Sequence, residues 1–116
     1  MSDRNGVLLL MFDLPMLTSS DRRNYTLFRK NIIRAGYRFF QKSVYVKLLR
    51  NVSSINDELD KIIKILPPEG SIHVLPLNMN TFRDMECLIG DPFDMALFSD
   101  DVVFIGDDDE GEELLF

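Results

Sequence analysis

The sequence has few of the residues on which most enzymes depend. It contains one cysteine (Cys87), one histidine (His73) and no tryptophan among its 116 residues. A single cysteine cannot form an internal disulfide, which is typical of proteins from a reducing compartment. One imidazole and one thiol also argue against a zinc site of the usual kind and against a nucleophilic serine or cysteine enzyme built from this chain alone. Any chemistry is therefore expected to come from carboxylates.

Long hydrophobic segments are also missing. The longest unbroken apolar run is Val7–Phe12, far shorter than the roughly 20 residues that cross a membrane. No basic segment precedes this run and no small-residue cleavage site follows it, so the sequence predicts no signal peptide. Together with the lone cysteine, this pattern favours a cytoplasmic protein that does not bind a membrane.

Acidic residues are absent from the middle of the chain. Nine basic residues and no Asp or Glu lie between Arg22 and Arg50, whereas an ordinary solvated surface mixes the two signs. Residues 1–66 carry twelve Lys or Arg against six acids, and residues 67–116 carry one against thirteen. The basic part therefore predicts contact with phosphates, and the candidate residues are Arg22, Arg23, Arg29, Lys30, Arg34, Arg38 and Lys42. The acidic end is consistent with a solubility device, a competitor for the basic surface, or a docking tail.

Hydrophobic periodicity predicts the element order β-α-β-β-α-β. This order is that of the split βαβ, so we expect an α+β ferredoxin-like sandwich over residues 1–90, followed by an acidic tail over 91–116. The predicted elements are a strand at 6–13, a helix that is capped within 18–21 and ends near Ala35, strands at 37–40 and 43–49, a helix capped by Ser53 or Ser54, and a strand at 71–77.

The C-terminal part is less regular. Asn80 is predicted to cap one helical turn, and residues 86–89 are predicted to form a short extra strand that contains Cys87 as a small buried hydrophobe. Two apolar islands among acids, Leu97-Phe98 and Val102–Ile105, are predicted to dock on a subunit or partner, the second as a possible added strand.

Asp13 is the first candidate for chemistry, because it ends a buried strand where its side chain can reach solvent. One carboxylate is half of a Mg²⁺ site, and a twofold dimer that brings two copies of Asp13 together would complete it. The plainer interpretation, which sequence grammar alone favours, is that an Asp before Leu-Pro makes an Asx-type turn.

Four segments in order resemble the CRISPR-associated protein two family, in the form found in type II systems. They are Leu8–Pro15, the basic helix with Arg22-Arg23 and Phe28-Arg29-Lys30, the run Gln41–Tyr45, and the run Leu66–Ser71. The resemblance covers roughly residues 6–90 and does not include the acidic tail.

This resemblance implies a ferredoxin-like homodimer in which Asp13 faces its twin and holds Mg²⁺ for phosphodiester cleavage of RNA or DNA. It also implies that Ser43 and Tyr45 are neighbours of the site or the dimer interface. The implied partners are the CRISPR-associated integrase and double-stranded DNA from which spacers are taken, with single-stranded RNA as a further candidate. The implied role is spacer acquisition in CRISPR adaptive immunity.

Two alternatives remain open. The first is a non-catalytic scaffold that only binds duplex DNA, which requires the basic residues but not Asp13. The second is a toxin-like endoribonuclease, which would share the fold and the carboxylate at the strand end. An RNA-recognition motif is disfavoured, because the strand at 43–49 contains no glycine where that motif has a basic-Gly-aromatic-Gly run.

Overall fold

The computed structural model describes residues 5–99, which form an α+β ferredoxin-like fold around one antiparallel sheet with the strand order β2-β3-β1-β4. This fold class confirms the prediction from the sequence. The elements are β1 (Gly6–Asp13), α1 (Ser19–Arg34), β2 (Arg38–Gln41), β3 (Val44–Leu49), α2 (Ile55–Ile63), β4 (Ser71–Asn78) and α3 (Met79–Arg83), with 3₁₀ turns at Val52–Ser54 and Met95–Phe98.

Strand β1 is central because both of its faces are apolar. Leu8, Leu10 and Phe12 belong to the core that the sheet forms with helices α1 and α2. Successive side chains of a strand point to opposite faces, so Val7, Leu9, Met11 and Asp13 lie on the other face. We call the first surface the helix-side face and the second the opposite face.

The described residues cover the opposite face only in part. Val7 and Val46 pack there with Met79 and Phe82 of the α3 region, and Phe93 and Phe98 join the same cluster. The packed unit therefore continues past residue 90, where the sequence predicted the end of the domain. Near β4 this face is open, because Leu75 is 46% exposed and His73 is also exposed.

Two predictions for the C-terminal part are wrong. Residues 86–89 form no strand, and Leu88 and Ile89 are 90% and 93% exposed. Cys87 is exposed rather than buried. The segment lies in an irregular loop and pairs with neither edge of the sheet. The other suggested strand, Val102–Ile105, lies outside the described residues.

The island Leu97-Phe98 contacts its own chain. The Phe98 ring lies 5.1 Å from that of Phe93 and 6.0 Å from that of Phe82. The guanidinium Nε of Arg38 donates a hydrogen bond to the carbonyl oxygen of Leu97 at 3.1 Å. Both residues of the island therefore have contacts within the chain, whereas the sequence predicted that the island docks on a subunit or partner.

Helix α1 is the longest helix in the described part of the chain, with 16 residues. No helix there combines the length and the apolar composition needed to cross a membrane.

Candidate functional site

Asp13 is exposed at the carboxyl end of β1, on the opposite face of the sheet. It pairs with Ser71 at the start of β4, and the next pair on the same face is Met11 with His73. His73 is therefore a diagonal neighbour of Asp13, at a Cα separation of roughly 7–8 Å for such positions in an antiparallel pair. The structure thus places the only histidine of the chain on the same exposed surface as the candidate carboxylate.

Two backbone contacts hold the end of β1. The amide of Phe12 donates a hydrogen bond to the carbonyl oxygen of Ser43 at 3.1 Å, so the turn between β2 and β3 lies beside Asp13. Ser43 has a positive φ of 65°, a conformation that few non-glycine residues adopt and that makes this a tight turn. On the other side, Gly70 lies against the backbone of Asp13 and Leu14.

The described residues of a single chain do not form a complete metal site. Among residues 5–99 no group of three or more His, Cys, Asp or Glu side chains is placed to hold a metal ion. Asp13 alone offers one exposed carboxylate, which fits the one or two carboxylates that Mg²⁺ takes alongside waters and substrate phosphates. The donors among the described residues are therefore compatible with a metal site shared between two chains and insufficient for a complete site in one chain.

Tyr45 lies on the helix-side face and does not adjoin Asp13. Its side chain is fully buried, and its ring stacks on Phe12 at 5.8 Å and contacts Phe39 edge-on at 5.6 Å. The resemblance implied that Tyr45 neighbours the site or the dimer interface, but within a single chain Tyr45 is a core residue. Ser43, by contrast, lies next to the site through its backbone.

Six of the seven basic candidates divide into three groups. Three of them, Arg23, Lys30 and Arg34, are spaced by seven and four residues on α1, so they share one stripe that points away from the core. Arg22 and Arg38 have backbone acceptors, since the Nη1 of Arg22 donates to the carbonyl oxygens of Met16 and Leu17. Lys42 is exposed in the turn between β2 and β3.

Arg29 does not lie on the surface. Its side chain is 1% exposed and is among the largest fully buried side chains of the described chain. On a helix it is adjacent to the core residues Phe28 and Ile32, and the long aliphatic stem of an arginine packs well in such a position. A direct contact between Arg29 and a phosphate is therefore incompatible with this conformation.

Sequence reasoning missed a buried cluster of three polar residues. The hydroxyl of Tyr37 donates to Glu58 Oε2 at 2.9 Å, and Lys47 Nζ lies 3.0 Å from the same oxygen. Burial raises the pKa of Tyr37 far above its ordinary value, and the charge of Glu58 and its hydrogen bond add to the shift. The cluster joins α2 to β3. The one feature of the sequence that could have predicted it is Glu58, an acidic residue at a position of α2 that faces the core.

The sequence profile of the family described as CRISPR associated protein Cas2 matches residues 7–85. The chain belongs to the Cas2 family. The matched range includes Asp13, all seven basic candidates and every residue of the sheet except Gly6.

Several curated proteins are similar to this Cas2 chain, and each is named CRISPR-associated endoribonuclease Cas2. The protein of Treponema denticola is 39% identical over 84 residues, which cover 72% of this chain and 83% of that protein. The protein of Acidovorax ebreus is 36% identical over 85 residues, covering 73% and 83%. The protein of Streptococcus mutans is 34% identical over 101 residues, covering 86% and 94%.

Proposed function

We propose that this Cas2 chain is a metal-dependent endonuclease that acts in CRISPR adaptive immunity as a nucleic-acid-binding subunit. The observation that carries the proposal is the exposed carboxylate of Asp13 at the end of β1, in a chain whose relatives are named endoribonucleases. No other carboxylate of the described residues ends a strand of the sheet.

The proposed active form is a homodimer in which two copies of Asp13 share one Mg²⁺. When bound, Mg²⁺ supplies charge that polarises a phosphoryl oxygen and lowers the pKa of an attacking water. The role of the chain is to hold the Asp13 carboxylate at the rim of the sheet. Two carboxylates that share one ion lie close enough to repel each other unless the cation is between them. Pairing of the two Asp13 side chains and binding of the metal therefore depend on each other.

The open part of the opposite face supports the dimer. Leu75 is nearly half exposed, and Met11 and Leu9 beside it are only partly buried. An apolar surface of this kind, flanked by Asp13 and His73, suits a second copy of the chain, because twofold symmetry buries the same patch on both subunits. Pro76 lies within β4, which has a strand neighbour on one side only in the described sheet, as expected for proline in an edge strand.

The proposal is tested by cleavage of labelled single-stranded RNA and duplex DNA, in a Mg²⁺ series and in EDTA. We expect Mg²⁺-dependent cleavage by the unmodified protein and a loss of roughly 100-fold or more in Asp13→Asn, because the amide carries no charge for the metal. Asp60→Asn is the matched control, since Asp60 is an exposed carboxylate on α2, away from the sheet edge.

Equal cleavage by Asp13→Asn and Asp60→Asn would contradict the role of Asp13. Cleavage that persists in EDTA would contradict the metal dependence. Binding should survive in both variants, because neither substitution removes a basic residue.

A second function, a duplex-binding scaffold without cleavage, is favoured by one separate observation. Arg23, Lys30 and Arg34 form a stripe about 16 Å long on α1, as 11 residues of helix imply. Its charges can neutralise consecutive phosphates of a duplex without reading the bases. In this case the proposed partners are double-stranded DNA and the CRISPR-associated integrase, and the role is to hold spacer precursors. If neither the unmodified protein nor Asp13→Asn cuts while both bind duplex at low salt, the scaffold function is the correct one.

A further inference from the structure

Gly70 is the residue at which the chain before β4 meets the end of β1. A Cβ atom added to Gly70 would lie 2.5 Å from Leu14 Cδ2, 2.8 Å from the carbonyl oxygen of Asp13 and 3.2 Å from Leu14 Cα. The second and third distances involve backbone atoms, which cannot move aside as a flexible side chain does. Only a residue without a Cβ therefore permits the observed approach.

We infer that Gly70 is a positioning residue for Asp13: its contact with the Asp13 carbonyl sets the direction in which the carboxylate points. The inference rests on the proposed function of Asp13 as a metal ligand.

The direction of a Cα–Cβ bond is fixed by the peptide groups on both sides of the residue. On the side before Asp13, the amide of Phe12 donates to Ser43 one peptide earlier, and Asp13 itself pairs with Ser71 of β4. The peptide after Asp13 is held by Gly70, which packs on its carbonyl oxygen, and by Leu14, whose side chain is buried in the core. These contacts fix the backbone on either side of Asp13 and thereby the direction of its Cα–Cβ bond.

The surroundings determine how a side chain at Gly70 would act. The segments that follow Asp13 and precede Gly70 line a common cavity of about 160 Å³, with Leu14, Pro15, Pro67 and Pro68 among the lining residues. The cavity gives the Leu14-Pro15 segment room to shift when it is pushed. We therefore expect a Cβ at residue 70 to displace the end of β1 rather than to unfold the sheet.

Gly90 provides a matched control. Both glycines have a positive φ, 114° at Gly70 and 95° at Gly90, but a Cβ added at Gly90 meets no atom within 4 Å. Alanine at either position carries the backbone strain of a positive φ. Only alanine at position 70 also pushes on the Asp13 carbonyl. The difference in activity between the two variants therefore measures the effect of the contact between residue 70 and Asp13.

The test compares Gly70→Ala with Gly90→Ala in RNA cleavage, at a temperature where circular dichroism shows both proteins fully folded. In Gly70→Ala we expect kcat to fall roughly tenfold or more, because a misplacement of about 1 Å can cost up to 100-fold in rate. The Mg²⁺ concentration for half-maximal rate should rise about threefold or more, while the KM for RNA changes by less than about twofold, since the basic stripe is untouched. Gly90→Ala should match the unmodified protein in all three quantities.

A purely structural role for Gly70 would lower the melting temperature without changing the Mg²⁺ requirement of the folded enzyme, and that result would overturn the inference. Equal effects of the two variants would overturn it as well. If Gly70→Ala does not fold, Gly70→Asn replaces it, with Gly90→Asn as its control, because asparagine tolerates positive φ better than alanine and still adds a Cβ. Failure of the proposed function is recognised separately, since Asp13→Asn would then cleave as well as the unmodified protein, or the unmodified protein would not cleave at all.

Discussion

Two buried tyrosines of this protein have opposite hydrogen-bonding states. Tyr37 and Tyr45 are both fully buried on the helix-side face. The Tyr37 hydroxyl donates to Glu58 at 2.9 Å, whereas the hydroxyl of Tyr45 has no hydrogen-bond partner within the described part of the chain. A buried polar group costs free energy unless it is paired, so the same substitution should act differently at the two positions.

We expect Tyr37→Phe to lower the free energy of unfolding by about 1.5–3 kcal/mol, because it removes a hydrogen bond to a buried charged group. Tyr45→Phe should leave it unchanged or raise it by up to about 1 kcal/mol, since it removes an unsatisfied buried hydroxyl without creating a cavity. Urea denaturation of the two variants measures both values. A comparable loss in Tyr45→Phe would show that its hydroxyl is paired in solution.

The Tyr37 hydroxyl also predicts how stability depends on pH. Its pKa in the folded protein is raised by burial and by Glu58, so the fold favours the neutral form. Stability from this group is therefore complete below the ordinary tyrosine pKa of about 10 and is lost as the pH rises above it. We expect unfolding in alkali to accompany ionisation of this tyrosine, as measured by tyrosinate absorbance and circular dichroism together. Tyr37→Phe should lose less stability between about pH 10 and 12.

At the scale of the elements, the two main helices begin in different ways. Thr18 accepts a hydrogen bond from the amide of Asp21 at 2.9 Å, and the Asp21 carboxylate accepts one from the Thr18 amide at 3.1 Å. This capping box satisfies two donors at the start of α1. Ser54 stands at the corresponding position of α2 but caps nothing, because its hydroxyl donates to the carbonyl oxygen of Asn51.

We expect Thr18→Ala to lower the free energy of unfolding by about 1 kcal/mol, the usual effect of losing an N-cap. Ser54→Ala should cost clearly less, since its side chain accepts no bond from the helix amides. Thermal unfolding of the two variants compares them directly. A larger effect of Ser54→Ala would mean that its bond to Asn51 contributes more than a helix cap does.

Elements with strong hydrophobic periodicity were predicted correctly from the sequence. The prediction was wrong for a strand whose formation depends on pairing with another strand. The six main strands and helices all lie close to their predicted ranges, because alternation and helical spacing are local properties. The cap of α3 is Asn78 rather than Asn80, a difference of two positions among similar residues. The strand expected at 86–89 is absent, because a strand must also pair in register with an edge of the sheet and this segment pairs with neither edge.

The site was predictable to a similar degree. Asp13 stands at the end of a run that is apolar throughout, so its place at the rim of the sheet follows from the pattern. The burial of Arg29 could not be predicted from the pattern. A basic residue beside the apolar stripe of a helix either packs its side chain on the core or extends it into solvent, depending on its neighbours in the folded chain. The approach of Gly70 to Asp13 joins residues 57 positions apart in the sequence, and only the folded chain reveals it.

At the scale of the whole molecule, charge is separated along the chain. The net charge is −6, yet the outer side of α1 carries Arg23, Lys30 and Arg34 with no acid between them. Eight acidic residues and no basic one lie beyond Ser99 in the sequence. A polyanion is therefore expected to bind through a local basic surface against an unfavourable overall charge, which makes its affinity sensitive to ionic strength.

The proposed dimer carries the α1 stripe twice, so it offers six cations to the phosphates of a duplex. Each neutralised phosphate contributes about −0.9 to the slope of log K against log salt concentration, which predicts a slope of about −5 for the stripes alone. Replacement of Arg23, Lys30 and Arg34 by Gln should make the measured slope shallower by at least about half, for any duplex sequence. The control is Lys61→Gln with Lys64→Gln, two exposed cations of the α2 region, which should change the slope little. Fluorescence anisotropy between about 50 and 200 mM salt measures duplex affinity for the unmodified protein and both variants. Equal slopes for the stripe and control variants would mean that overall charge rather than the stripe binds the duplex.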